Sequence, residues 1–156
     1  MIDCMSICII TPEFPPDPGG VSRSVARLIN QLARSFEIEI IVPSQALLPG
    51  EIHSEKGDFT VHRWGVFQKD YENQQFLFQW LVKQSWDLLH AYYPSITGFT
   101  TVFAARYLSC PVLLSVRGND LDRDLWMPER QNGLLWSLSH ANHITTVTQE
   151  LQRKVN

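Results

Sequence analysis

The chain has 156 residues, 44% hydrophobic and 19% charged, with a formal net charge of −3. That is enough for one globular domain with a real core, and the acidic balance excludes the basic stripe that nucleic-acid binding needs. No apolar run approaches the ~20 residues that span a bilayer, and residues 1–6 carry no signal-peptide pattern, so the cytoplasm is the expected compartment. Cys4, Cys8 and Cys110 form no C-x-x-C pair and indicate neither a disulfide framework nor a zinc site. All three are expected as buried small hydrophobes.

Strand-like and helix-like segments alternate along the chain. Residues 5–10 are a nearly continuous apolar run, as in a strand buried on both faces. Residues 11–20 (TPEFPPDPGG) hold four prolines and two glycines and read as a loop. Val21, Val25, Leu28, Ile29 and Leu32 then fall on one stripe of a helix. A second strand is expected over 38–42, closed by Pro43, and a third over 59–64. Residues 68–85 suit a helix whose aromatics point in several directions. A fourth strand over 88–91 stops before Pro94, and a helix over 99–108 carries Ala104 and Ala105 for close packing on a sheet. A fifth strand over 111–116 ends at Arg117-Gly118-Asn119-Asp120. A helix over 130–140, a sixth strand over 144–147 and a short last helix follow. Thr148 is placed to cap that helix by accepting from the N–H of Leu151. The alternation predicts an α/β fold: a Rossmann-like, doubly wound parallel sheet with helices on both faces.

In such a sheet, ligands bind beyond the carboxyl ends of the strands. Gly19-Gly20 lies between a strand and a helix N-terminus, where backbone N–H groups can approach an anion. Arg23 in the first turn opposes the helix dipole, a small cost that makes sense if it faces an anion; a flexible turn with a solvated arginine is the alternative. His90 ends a strand and could bond a sugar hydroxyl or phosphate, although a lone histidine among apolar residues is more often structural. Arg117, Asn119 and Asp120 suit polyol or phosphate binding, and equally an ordinary turn. Thr148 and Glu150 open the last helix at the same edge, where a simple cap is the competing role. The pattern is not G-x-G-x-x-G, and no P-loop, G-x-S-x-G or H-E-x-x-H occurs. Asp120, Asp122 and Asp124 lack the remainder of a calcium loop; the last two are expected as solvated helix-start residues.

Four segments, in order, resemble glycosyltransferase family 4. IITPEFPP (9–16) with GGVSRSV (19–25) is similar to its first strand, proline-containing loop and Gly-Gly-Val-x-Arg helix start. DLLHA (87–91), VLLSVRGND (112–120) and ANHITTVTQEL (141–151) resemble three later strand-end motifs. The resemblance implies the amino-terminal, acceptor-side half of a GT-B fold, spanning 1–156, with the donor-binding carboxy-terminal domain absent from the chain. It implies a retaining glycosyltransferase that takes a nucleotide-sugar as co-substrate, uses no metal and acts on a sugar or lipid-linked acceptor. Gly19, Gly20 and Arg23 match the donor-diphosphate side, and His90 and Asp120 match cleft positions. Arg117 stands where the family commonly has histidine and cannot accept a proton. No two glutamates here have the spacing of the family's Glu-x7-Glu donor motif, so the isolated chain is expected to be inactive. A stand-alone binding module of the same fold, or another Rossmann-like enzyme such as an epimerase, remains an alternative. Phe76, Phe78, Trp80 and Trp86 are candidates for peripheral membrane contact. With only Lys69 and Lys83 nearby, core packing is the expected role. Self-association through an exposed apolar patch is a further option.

Overall fold

The computed structural model describes residues 4–155, without the side chains of Ile96, Asn119 and Asp120. Among the described residues the strands are β1 (Ser6–Ile10), β2 (Glu37–Ser44), β3 (Ile52–Lys56), β4 (Thr60–Gly65), β5 (Leu88–Tyr92), β6 (Val112–Val116) and β7 (His143–Thr146). The helices are α1 (Gly20–Leu32), α2 (Asp70–Leu81), α3 (Ile96–Leu108), α4 (Asn119–Asp124), α5 (Pro128–His140) and α6 (Gln149–Val155). The strands form one sheet in the order β3-β4-β2-β1-β5-β6-β7, parallel except for β3, which pairs antiparallel with β4.

The central strands read as apolar runs because both of their faces are covered. On one face Ile7 and Ile9 of β1 and Ile38, Ile40 and Val42 of β2 pack under Val25 and Ile29 of α1. On the other, Cys8, Ile10, Ile41 and Leu89 pack under Leu77 and Leu81 of α2 and Val102, Ala104 and Ala105 of α3. The two alanines are fully buried, in line with the close packing expected of them. Trp86 is buried, and Phe76, Phe78 and Trp80 pack against the same cluster, which is the core role expected for these aromatics. A third cluster joins Val116, Leu121, Leu134 and Leu151, tying α4, α5 and α6 to the end of β6.

Several expectations need correction. The edge strand β3 was not foreseen, because every one of its residues is exposed and it carries no hydrophobic pattern. It is held by its ladder to β4 and by a polar chain in which Ser54 and Glu39 bond the two ring nitrogens of His62, each at 2.8 Å. Pro43 does not close β2, which continues to Ser44. The ladder to β1 has already ended, with Thr11 N–H donating to Ile41 O at 3.2 Å, so the missing donor is tolerated there. Cys4 is exposed, whereas Cys8 and Cys110 are buried, and burial pushes both buried thiols up, away from reactivity. Asp122 is exposed as expected, but Asp124 is fully buried and accepts from Arg123 Nε at 2.9 Å and Arg130 Nη1 at 3.3 Å. Burial would raise the Asp124 carboxyl, but hydrogen bonds from Ser95 and Arg123 and the charges of Arg123 and Arg130 outweigh it and hold the group low.

The loop after β5 is set by close backbone contact. Tyr93 takes a left-handed conformation, φ 68°. A Cβ on Gly98 would lie 2.3 Å from the Tyr93 carbonyl oxygen, so only glycine lets α3 seat against this loop. Gly98→Ala is expected to destabilise the fold by about 1–3 kcal/mol, the usual range for overpacking, measured as a lower urea midpoint at unchanged slope.

Candidate functional site

Strand order reverses between β1 and β5: from β1 the chain crosses to β2 on one side, and β5 lies on the other. The loops after β1 and β5 therefore diverge and leave a crevice at the carboxyl edge. The β1 loop is a tied structure. Thr11 Oγ1 donates to Glu13 O at 3.0 Å, and the Phe14 N–H donates to Asp17 Oδ2 at 3.1 Å. Arg63 from β4 donates to the Pro15 carbonyl and lies 3.7 Å from Asp17. Phe14 is buried edge-on to Phe59, with centroids 6.0 Å apart.

The loop delivers Gly19 at φ 143°, ψ 167°, a conformation nearly confined to glycine. The first helical bond of α1 runs from Arg23 N–H to Gly19 O at 3.3 Å, so the amides of Gly20, Val21 and Ser22 have no intrahelical acceptor. Among the described residues no side-chain cap bonds them, and no acidic residue lies in the first turn. A Cβ on Gly20 would meet nothing within 4 Å, whereas one on Gly19 would approach Glu13 Oε2 at 2.7 Å. Arg23 is exposed and donates through Nε to Gly19 O at 3.2 Å, which keeps its charge beside this opening. Ser22 is fully buried, and its hydroxyl has no partner among the described residues.

Across the crevice, Arg117 at the end of β6 donates to Ser24 Oγ of α1 and lies over the Tyr92 ring, 5.4 Å from its centroid. His90 stacks on Tyr92 at 4.8 Å with 27° between the planes, and its Nε2 is 2.8 Å from Ser115 Oγ. Ser115 Oγ is in turn 2.7 Å from Thr145 Oγ1 of β7. His90 thus lies beneath the edge, 4% exposed, rather than on its surface. Burial first, and the Arg117 charge second, lower its pKa from 6.5 to about 4. The imidazole is neutral at physiological pH.

The remaining positions lie farther along the edge. Gly118, at φ 125°, leads into α4; the side chains of Asn119 and Asp120 lie outside the described residues. Thr148 Oγ1 accepts from the Leu151 N–H at 3.2 Å, the expected cap. Glu150 is exposed and pairs with Lys154 at 3.3 Å, and Lys154 also bonds Asp122 at 2.8 Å. The structure therefore ties Arg117 to the first turns of α1 through Ser24 and sets its charge beside His90, keeps Arg23 on Gly19, and leaves Thr148 and Glu150 to serve α6. Sequence reasoning missed Ser24, Tyr92 and Ser115. The serine that interrupts the apolar run of β6 was the one available signal. Among the described residues no group of three His, Cys, Asp or Glu side chains could hold a metal ion.

The arrangement suits an anion. Open amides begin α1, Arg23 is bonded at Gly19 and Arg117 at Ser24 of the same helix, and the nearby histidine is held neutral. The family model for a glycosyl transferase 4-like domain matches residues 19–156. No curated protein matches the chain by sequence. In fold the chain is similar to a UDP-GlcNAc 2-epimerase from Neisseria meningitidis solved bound to UDP-GlcNAc (14% identity, TM-score 0.65, 97% of this chain, 43% of that one). It is similar also to sucrose-phosphate synthase from Thermosynechococcus elongatus (12%, TM-score 0.66, 97% and 44%). A third likeness is to an α,α-trehalose-phosphate synthase (UDP-forming) from Burkholderia vietnamiensis (11%, TM-score 0.65, 96% and 41%). The chain spans less than half the length of each.

The neutral His90 gives a pH prediction. Its folded pKa lies below its unfolded value, so the unfolded chain takes up the proton first as pH falls. The contribution is complete above about pH 6.5 and is lost on acidification toward pH 4, with a slope of up to ~1.4 kcal/mol per pH unit and a total of about 3 kcal/mol. Urea unfolding across this range should show the slope in the parent protein and a shallower one in His90→Gln.

Proposed function

The chain belongs to the glycosyl transferase 4-like domain family, and on that premise we propose that it is the acceptor-side half of a cytoplasmic, two-domain, retaining glycosyltransferase. The observation that carries this is the uncapped, glycine-led start of α1 at the switch point of the sheet, with Arg117 beside it. A nucleotide-sugar diphosphate fits there: the amides of 20–22 point at it, the helix dipole favours it, and nothing occupies the space above Gly20. Arg23 and Arg117 supply positive charge as the diphosphate leaves. Neither can take a proton, and His90 is buried beneath them. This half therefore binds and orients; the carboxylates of a Glu-x7-Glu donor site belong to a second domain, and this chain alone is inactive. The reaction needs no metal, and the acceptor is a sugar or lipid-linked sugar. The burial of Trp86 and the inward packing of Phe76, Phe78 and Trp80 leave those aromatics little part in any membrane contact.

The likeness in fold to a UDP-GlcNAc 2-epimerase favours a second reading, isomerisation of the nucleotide-sugar itself. One assay separates the two. The full-length protein is incubated with UDP-, GDP- and ADP-sugars, with and without a mixture of acceptor glycosides. Release of nucleoside diphosphate that requires acceptor, with a product of the donor's anomeric configuration, is the expected result. Interconversion of the nucleotide-sugar without acceptor would establish the epimerase instead. Turnover by residues 1–156 alone would contradict the half-enzyme account.

Gly20→Val should leave thermal unfolding nearly unchanged, because a Cβ there meets nothing within 4 Å. A helix-terminus anion interaction is worth about 1–2 kcal/mol in a favourable site. Donor kcat/KM in the complete enzyme should therefore fall roughly 5- to 30-fold. Unchanged donor kinetics would remove the diphosphate from this position.

A further inference from the structure

On the opposite face of the sheet from α1, a cavity of about 390 Å³ opens between α2, α3 and α5. We propose that it is a saccharide subsite that takes one neutral pyranose ring of the acceptor. Its role in transfer rests on the glycosyltransferase reading; its ability to bind sugar does not.

The walls are aromatic. Phe99 and Trp136 meet edge-to-face, with centroids 5.4 Å apart and 68° between the planes. The indole is fixed in place: it stacks on His140 at 4.2 Å and 15°, and Phe103 lies 6.0 Å away. Polar side chains also line the cavity, among them Gln74 from α2 and Glu129 and Asn132 from α5. None of these three makes a hydrogen bond or ion pair among the described residues. Two amides and a carboxylate offer both donors and acceptors.

This combination selects among ligands. An apolar guest would pair none of these polar groups. An anion would meet Glu129, and the cavity's arginine, Arg130, is already engaged by the buried Asp124 at 3.3 Å. A pyranose presents a C–H face for the rings and hydroxyls around its rim for the amides and carboxylate, and the volume lies in the range of small-molecule sites. Because Trp136 is already held by its neighbours, little side-chain freedom is lost on binding.

The position connects the cavity to the reaction. Ser95, which also lines it, follows β5 at the carboxyl edge, and Gln74 lies in the second turn of α2. These two lining residues thus lie toward the carboxyl edge of the sheet, the edge where α1 begins. An acceptor with one ring here extends its next residue around the end of β5 toward the crevice.

The test uses the full-length protein and the methyl glycosides of glucose, galactose, mannose and N-acetylglucosamine, each titrated to tens of millimolar. Binding is read by saturation-transfer NMR and by the shift of the Trp136 indole N–H. At least one glycoside should bind saturably and move that resonance. The double variant Gln74→Ala/Asn132→Ala should weaken it ten-fold or more without changing thermal unfolding or UDP binding. Absence of binding by all four sugars, or binding indifferent to the double variant, overturns the subsite. Normal sugar transfer with an unchanged acceptor KM in the double variant also overturns it while leaving the transferase reading intact. Sugar binding at Trp136 in a protein that transfers no sugar would do the reverse.

Discussion

Parallel pairing of β1 with β2 on one side and β5 on the other is the constraint on which the rest of the molecule depends. Parallel neighbours cannot be joined by a hairpin, so each connection must cross a face of the sheet. The crossover from β1 carries α1 over one face, while α2 and α3 cover the other. All the parallel strands then end at one edge, and the loops beside β1 separate there. The crevice is a consequence of topology, and the residues lining it are held by the same contacts that bury the core. Arg63 and Asp17 fix the β1 loop, and the Gly98 contact with Tyr93 fixes the β5 loop.

The electrostatics of the crevice follow from this placement. The amides that open α1 are uncapped, and Arg117 is held against Ser24 and Tyr92 rather than free in solvent. Burial and, second to it, the same guanidinium disfavour a proton on His90 and lower its pKa to about 4. Among the described side chains, the guanidinium of Arg117 and a histidine held neutral therefore set the charge beside the start of α1.

How much of this the sequence shows depends on burial. The apolar runs of β1, β5 and β6 declare themselves because both faces of those strands are covered, and Thr148 declares itself because a helix cap is local chemistry. β3 was invisible: its residues are all exposed, and only pairing with β4 makes IHSEK a strand. Asp124 looked solvated because its burial, and its pairing with Arg130, arise only when α4 folds onto α5; Arg123 is adjacent in the chain. Pro43 looked like a stop because a sequence does not show where the adjacent strand ends. Gly19 and Gly20 were legible as a glycine-led helix start, because the loop and the helix stripe lie side by side in the chain. The link from Arg117 to α1 was not, since 93 positions separate it from Ser24. The cavity of Phe99 and Trp136 was out of reach for the same reason: its walls come from different helices.

The most direct test of the account is an amide NMR titration of the full-length protein with UDP, GDP and ADP, following the resonances of Gly20, Val21 and Ser22. The account predicts that at least one nucleotide binds saturably and moves all three. No binding by any of the three, or saturable binding that leaves these amides unmoved, would contradict the claim that the start of α1 receives the donor diphosphate.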